Sequence, residues 1–503
     1  MSDGAIMELV SRGKKDAYQI QDANRSWFGS PYERRSPSTR EIRLLYPENP
    51  PHFGQWFDVV LPSDGDILTS FDLRITLPTW LPPEVAAINT DTANYSVQVL
   101  SEPYEVVASD FVGGTQPPPP IPQTCYTEYG WCNGVANYMF SRWALFVDNV
   151  MVLDGYGEFN TWFPDMDTTQ LHAPLIHAAT GRYDDSNIAS QQLGIQANAT
   201  LPELVFRVPL PGCQGKGDTG LPLCAFPHQK VYMRFWLLDK TNLVSSGTLV
   251  GPLGATPPSG VVQTTLPLYE LCPAPWGARP IRVSNLRTGM YEFPGALTLS
   301  ARALGQPYIY ARTSILNVDN ELRDSLRKQK FEIRFRQQLR DFWTVDNSAF
   351  VAGVNYRRLL QINGFFQSLF LVFRSVARTQ QNRYTDILPS YGAWLSSLSL
   401  NLNGQDRILP WAPKLLTTLA NNTQLKRDIN VALYYLIFGI SPEDEPGGAC
   451  NLSRCQKAAL NLIFNPVQVD PMTGSNTTYA YIIGQSWNVL DIADGIAILR
   501  FPT

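Results

Sequence analysis

The residues in this chain that could do chemistry are few and poorly spaced for it. The four histidines, His52, His172, His177 and His228, form neither a His-x-His nor a His-Glu-x-x-His pattern, so a cupin-like or zinc-protease site has no ligand set. Cys450 and Cys455 are separated by four residues and could begin a zinc clip. Such a clip needs about four ligands, and no second cysteine pair follows; free thiols beside a turn are the expectation. The glycine-rich stretch 212–220 contains Gly215-Lys216, which imitates a phosphate loop. Lys216 is followed by Gly217, with no Ser or Thr to hold a metal, and a strand is expected next where a phosphate site needs a helix. No Gly-x-Ser-x-Gly elbow occurs, and carboxylates such as Asp165 and Asp167 are scattered. The sequence therefore nominates no catalytic, cofactor-binding or metal-binding residue, and a non-enzymatic protein is expected.

Charge and modification motifs are equally restrained. A formal net charge of −4 supplies no cationic field for holding phosphate backbones, so no direct nucleic-acid binding is expected. Residues 321–340 hold seven Lys or Arg against three Asp or Glu. That run reads either as a patch that meets acidic proteins or anionic headgroups, or as a solvated helix and strand face. Asn-x-Ser/Thr sequons begin at Asn24, Asn94, Asn198, Asn421, Asn451 and Asn476. No signal peptide is visible in MSDGAIMELVSRGKKD, so cytosolic folding and mostly bare sequons are expected. Seven cysteines, an odd number, fit reduced thiols better than a disulfide framework. The longest apolar run, 431–440, falls well short of the roughly 18 residues of a membrane-spanning helix.

The elements that must position these residues are mostly strands. At 503 residues the chain exceeds what one core usually organises, so two domains are expected. A hydrophobic share of 44% against 17% charged indicates a packed, folded chain. With 35 Gly and 39 Pro, many turns between short strands are favoured over long helices. Ile6, Leu9 and Val10, broken by Gly13, suggest a short amphipathic helix in an N-terminal arm, residues 1–26. Two-residue periodicity then dominates. Phe71, Leu73, Ile75 and Leu77 alternate with polar residues up to Pro78. Val231, Met233, Phe235 and Leu237 alternate with Tyr232, Arg234 and Trp236, which suggests burial on both faces. The turn-rich stretches 81–138 and 244–305 read as surface loops. The one persuasive interior helix is 319–328, capped by Asp319 or Asn320, and the domain junction is placed there. Strands resume at Phe331, Ile333 and Phe335, and continue through Leu398–Leu402, 431–440, 460–464 and 496–501. Two successive all-β units with long loops match sandwich architecture, but periodicity alone does not separate a jelly roll from an immunoglobulin-like topology.

A resemblance makes that choice. Leu400-Asn401-Leu402-Asn403-Gly404-Gln405-Asp406-Arg407, then Ser441-Pro442-Glu443, Pro446-Gly447-Gly448 and Asn451-Leu452-Ser453-Arg454, then Tyr479, Tyr481, Trp487-Asn488-Val489-Leu490, Ile492, Gly495 and Leu499 to Phe501 resemble motifs of the major capsid proteins of nucleocytoplasmic large DNA viruses. The first half is similar to that family in Gly4, Leu9-Val10, Gly13, Asp16, Tyr18, Tyr32, Arg34-Arg35, Val208-Pro209-Leu210, Leu221-Pro222-Leu223, His228 and Val231. Residues 308–338 look like the passage where the family's first jelly roll closes and its second begins. The chain departs from the pattern at Leu452, where the family usually has an aromatic, and in its long insertions.

The resemblance implies an all-β double jelly roll of two tandem eight-stranded units, divided as arm 1–26, first roll 27–318, connecting helix 319–330 and second roll 331–503. It implies a homotrimer forming a pseudo-hexagonal capsomer, tiled into an icosahedral shell around an internal membrane. Partners would be neighbouring capsomers, minor capsid proteins and that membrane on the inner side. The location would be the virion capsid, with synthesis and assembly in the host cytoplasm. Some algal-virus relatives carry glycans added by other routes, which keeps exposed sequons open. Two alternatives stand beside this: a double-jelly-roll scaffold that shapes the viral membrane during assembly, and, from another class, a carbohydrate- or receptor-binding β-sandwich.

Overall fold

A computed structural model describes residues 38–78, 95–99, 125–161, 173–182, 203–213, 220–250, 277–285, 291–292, 296–299, 306–351, 353–376, 379, 382, 384–385, 387, 393–413, 415, 432–438, 448–465, 477–493 and 495–501. The N-terminal arm lies outside these residues.

Among the described residues, sixteen strands form the four antiparallel sheets of two sandwiches. In the first half they are β1 (Ser38–Leu45), β2 (Trp56–Val60), β3 (Ile67–Thr76), β4 (Phe140–Val147), β5 (Val150–Gly155), β6 (Leu204–Arg207), β7 (Val231–Leu237) and β8 (Tyr308–Val318). In the second half they are β9 (Phe331–Val345), β10 (Tyr356–Leu359), β11 (Phe365–Ser375), β12 (Leu395–Leu402), β13 (Gln405–Trp411), β14 (Leu433–Ile437), β15 (Ala458–Phe464) and β16 (Thr478–Ala493). The first unit has sheets ordered β1-β8-β3-β6 and β2-β7-β4-β5, and the second repeats this as β9-β16-β11-β14 and β10-β15-β12-β13. A sheet that pairs first with last and third with sixth, facing one that pairs second with seventh and fourth with fifth, is the strand order of a jelly roll. The fold class is therefore a double jelly roll. Three short strands lie off these paths. Leu221–Pro222 pairs with β3, Cys450–Asn451 with β11, and Ile496–Leu499 with β16.

Alternation builds each sandwich as read from sequence. In β3, Phe71, Leu73 and Ile75 are buried while Asp72 and Arg74 are half-buried, and the strand ends before Pro78. Their inward faces meet Phe57, Phe140, Phe206 and Phe235, whose rings contact one another, an arrangement that adds modestly to plain area burial. The second core collects Phe366, Leu369, Phe373, Trp394, Leu398, Leu462 and Phe464. Residues 319–328 are a helix as expected. It spans Asn320–Lys328, and the side chain of its N-cap Asp319 accepts from the Leu322 N–H at 3.0 Å.

Several expectations need correction. The stretches 81–138 and 244–305 are not only loop. Strand Cys125–Trp131 pairs with Val244–Val250, Tyr95–Val99 pairs with Gly277–Asn285, and the latter also pairs with Tyr291–Glu292 and Ala296–Leu299. The first two of these pairings join one insertion to the other, more than 100 residues away, which no local reading detects. Trp131, Cys132, Val135 and Tyr138 go further and enter the first core. Helices Val135–Tyr138 and Ala173–Thr180 were not foreseen. In β7 only the Val231 face is fully buried. Tyr232 stacks on Phe146 at 5.1 Å between ring centres, and Arg234 lies 4.1 Å from the centre of the Trp56 ring while pairing with Asp58. These side chains shield one another on an open face, so bulk did not imply burial. The 431–440 run is strand only over Leu433–Ile437 among the described residues.

The turn between β12 and β13 is a two-residue hairpin with positive φ at both Asn403 (51°) and Gly404 (92°), as primed turns require. A side chain at Gly404 would meet nothing within 4 Å, so substitution there costs backbone strain without a clash. Gly404→Val is expected to lower stability by about 1–3 kcal/mol, and Gly404→Asn by much less; denaturant unfolding measures both.

Candidate functional site

Among the described residues, those singled out for chemistry do not converge. His52 and His177 are half-buried and His228 is exposed, while His172, Asp165, Asp167 and Lys216 fall outside the described residues. Among the described residues no group of three or more His, Cys, Asp or Glu is placed to hold a metal. Gly220 leads into the strand Leu221–Pro222, not a helix. Cys450 and Cys455 are unbonded and packed against the second core, and burial, with Cys455 nearby, raises the Cys450 thiol. Burial also pushes Cys213 up to about 12 and Cys224 up to about 11, so these thiols are poor nucleophiles at neutral pH. Of the six sequon asparagines only Asn451 is described. Its side-chain oxygen accepts from the Ser453 N–H at 3.1 Å; Asn24, Asn94, Asn198, Asn421 and Asn476 lie outside.

Charged chemistry concentrates instead between the two rolls. Arg374 is the penultimate residue of β11, and its side chain is 3% exposed. It donates to Glu158 Oε1 at 2.8 Å, to the Tyr481 hydroxyl at 2.7 Å, to Thr379 Oγ1 at 2.9 Å and to the Tyr384 carbonyl at 3.0 Å. Glu158 follows β5 of the first roll, so this pair crosses the junction. Burial opposes the Arg374 charge, but Glu158 and the phenolic hydroxyls of Tyr481 and Tyr138 outweigh it and hold the guanidinium above its ordinary range. Tyr138 of the first roll stacks on Tyr384 of the second at 4.9 Å and donates to its carbonyl. Arg340 lies 4.9 Å from the centre of the Tyr156 ring and 3.9 Å from Glu158. Sequence reading missed Arg374 and Glu158. The available signal was a charge inside the apolar run Phe365–Ser375.

The basic run 321–340 is drawn into the same junction. Arg323 donates twice to the buried Asp66 at 2.6 and 2.8 Å, and Asp66 also accepts from the Val318 N–H at 2.9 Å. Arg327 donates to the Cys224 carbonyl, and Arg336 sits 5.2 Å from the centre of the Trp487 ring. Several of these cations therefore tie the connecting helix and β9 to their surroundings, a use that neither sequence reading anticipated. At the far end the Ala497 N–H donates to Gln229 of the first roll at 2.8 Å. A cavity of about 980 Å³ lies along the junction, lined by Tyr156, Arg334, Gln338, Phe365 and Trp487 among others.

Two outcomes are expected. Glu158→Ala strands a buried guanidinium and should cost about 3–5 kcal/mol, whereas Glu158→Leu with Arg374→Met should recover most of that loss; equilibrium unfolding compares them. Burial raises the Asp66 carboxyl, but the Arg323 and Val318 hydrogen bonds hold it below the usual range. A depressed folded pKa gives stability that is present above the unfolded value of about 3.9 and lost as pH falls through the folded one. Asp66→Asn should therefore cost about 1.5–3 kcal/mol at neutral pH, and the gap from the parent should close in acid melts below that window.

No family model matches the sequence, and no curated protein matches it. Solved structures do. The chain is similar to the capsid of PBCV-1 in its quasi-atomic model, at 14% identity and a TM-score of 0.62 over 95% of this chain and 100% of that one. It is similar to the Faustovirus major capsid protein at 10% identity and TM-score 0.58, covering 97% of each chain. It is also similar to a chain of the Sputnik virophage at 11% identity and TM-score 0.52, over 96% of this chain and 92% of that one. Across nearly its whole length the chain shares with these viral proteins one fold, the double jelly roll.

Proposed function

We propose that the protein is a structural major capsid protein and catalyses nothing: a homotrimer whose six jelly rolls make a pseudo-hexagonal capsomer of an icosahedral large double-stranded DNA virus shell. The observation that carries this is the full-length match in fold to the PBCV-1 capsid and the Faustovirus major capsid protein, with both rolls in the same strand order. A jelly roll keeps its variable loops at strand ends, so the insertions can differ between viruses while the rolls tile. The domain division follows as arm 1–26, first roll 27–318, connecting helix 319–330 and second roll 331–503. In this reading the arm lies on the inner side of the shell, where its Ile6, Leu9 and Val10 stripe meets neighbouring capsomers, minor capsid proteins or the internal membrane. Synthesis and assembly take place in the host cytoplasm, and the genome is not bound directly.

Light scattering of the purified protein should give three times 56.3 kDa, about 169 kDa, because permanent interfaces of this kind bury more than about 2,000 Å². Electron microscopy should show pseudo-hexagonal particles. A stable monomer at micromolar concentration would refute the capsomer. Abundance in mature virions separates the shell protein from an assembly scaffold, which leaves before maturity.

A further inference from the structure

The two rolls repeat one another, so the contact between them inside the chain is a template for a contact between chains. In the second roll the outer face of β9-β16-β11-β14 is covered, with Phe370 and Arg374 each 3% exposed. What covers it is the turn after β5. That strand ends at Gly155, one residue links it to a helical turn, and the Phe159 N–H donates to the Tyr156 carbonyl at 3.1 Å. Phe159, 2% exposed, meets Phe370 edge-on with ring centres 6.1 Å apart, and Glu158 meets Arg374.

Both halves of this contact recur uncovered. The counterpart of β5 in the second roll is β13, which ends at Trp411 and is followed by one linking residue and helical Pro413 and Leu415. The Leu415 N–H donates to the Ala412 carbonyl at 2.9 Å, the same bond at the same place. Counted from the strand end, Leu415 stands where Phe159 stands, yet it is 48% exposed. The counterpart of the covered face is the outer face of β1-β8-β3-β6. Both β8 and β16 carry Tyr-x-Tyr near their start, Tyr308 and Tyr310 in one and Tyr479 and Tyr481 in the other. Aligned on these tyrosines, the strand registers put Leu44 at the place of Arg340, Asp72 at that of Phe370 and Arg207 at that of Tyr435. This face is open. Ile42 is 55% and Leu44 51% exposed, beside a recess of about 330 Å³ lined by Ile42, Asp72, Arg207 and Arg312 among others.

We propose that the turn after β13 of one copy docks on the outer face of β1-β8-β3-β6 of the next, with Leu415 seated in this recess beside Leu44. The inference rests on the trimer proposed above and adds the two surfaces that meet. The contact is heterologous, turn on face, and repeating it generates a closed ring when the rotation allows.

The test uses the full chain and light scattering, read against one, two and three times 56.3 kDa. Leu415→Asp, and separately Ile42→Asp with Leu44→Asp, should each fall to the single mass with circular dichroism unchanged. Leu175→Asp, at a residue 70% exposed elsewhere, should keep the triple mass. Mixing the two dissociated variants leaves one intact turn and one intact face, so a species of double mass should appear. Should an aspartate variant fail to fold, Leu415→Ser and Leu44→Ser replace it, with a mass that falls on dilution. A folded Leu415 or Leu44 variant that holds the triple mass at every concentration overturns this placement and leaves the trimer standing. Loss of the trimer in Leu175→Asp, or a mixture showing only the single mass, overturns the placement too. Wild-type protein at the single mass overturns both the placement and the trimer.

Discussion

A guanidinium buried in the outer face of a sheet is the constraint around which this molecule is arranged. From Phe366 to Ser375 every residue of β11 is buried on both sides, although a strand of an antiparallel sandwich ordinarily keeps one wet face. Arg374 lies within that stretch, and a charge so placed is tolerable only with a partner and a full set of hydrogen bonds. Its carboxylate partner is Glu158, which belongs to the other roll. The second roll cannot bury its outer face unless the first roll is beside it in this orientation.

Other parts of the chain follow from holding that orientation. The connecting helix is fastened at its start by Asp319 and to the first roll by Asp66, which grips Arg323 with both oxygens. The cores trade residues across the boundary. Phe335, Leu490, Ile492 and Ala497 pack into the first, and Phe159 packs into the second. Such exchange makes the two sandwiches one cooperative body in energetic terms, since neither core is complete alone. The two insertions are only partly drawn into this arrangement: Trp131, Val135 and Tyr138 enter the first core, whereas the strands Tyr95–Val99 and Gly277–Asn285 pair with one another and can vary without disturbing the strand order of the rolls, which is what a surface-bearing building block needs.

Local chemistry was legible in the sequence wherever its cause is local. The Asn403-Gly404 hairpin, the Asp319 cap, the alternation of β3 and the all-β character follow from φ preferences, side-chain reach and two-residue periodicity, all properties of a few consecutive residues. The jelly-roll order came from resemblance and was beyond periodicity, because pairing first strand with last is a choice among distant partners. The same limit hid the pairings of Cys125–Trp131 with Val244–Val250 and of Tyr95–Val99 with Gly277–Asn285, which cross more than 100 residues.

The sequence by itself determined what the chain is made of: two runs of short strands and an interior capped helix. Only the tertiary structure decided which faces are wet. Tyr232, Arg234 and Trp236 looked like core and are half-open, while Arg374, which the sequence reading did not single out, is enclosed. Burial depends on what packs against a face. Here that is set by a turn more than 200 residues away, whose identity no window of neighbouring residues contains.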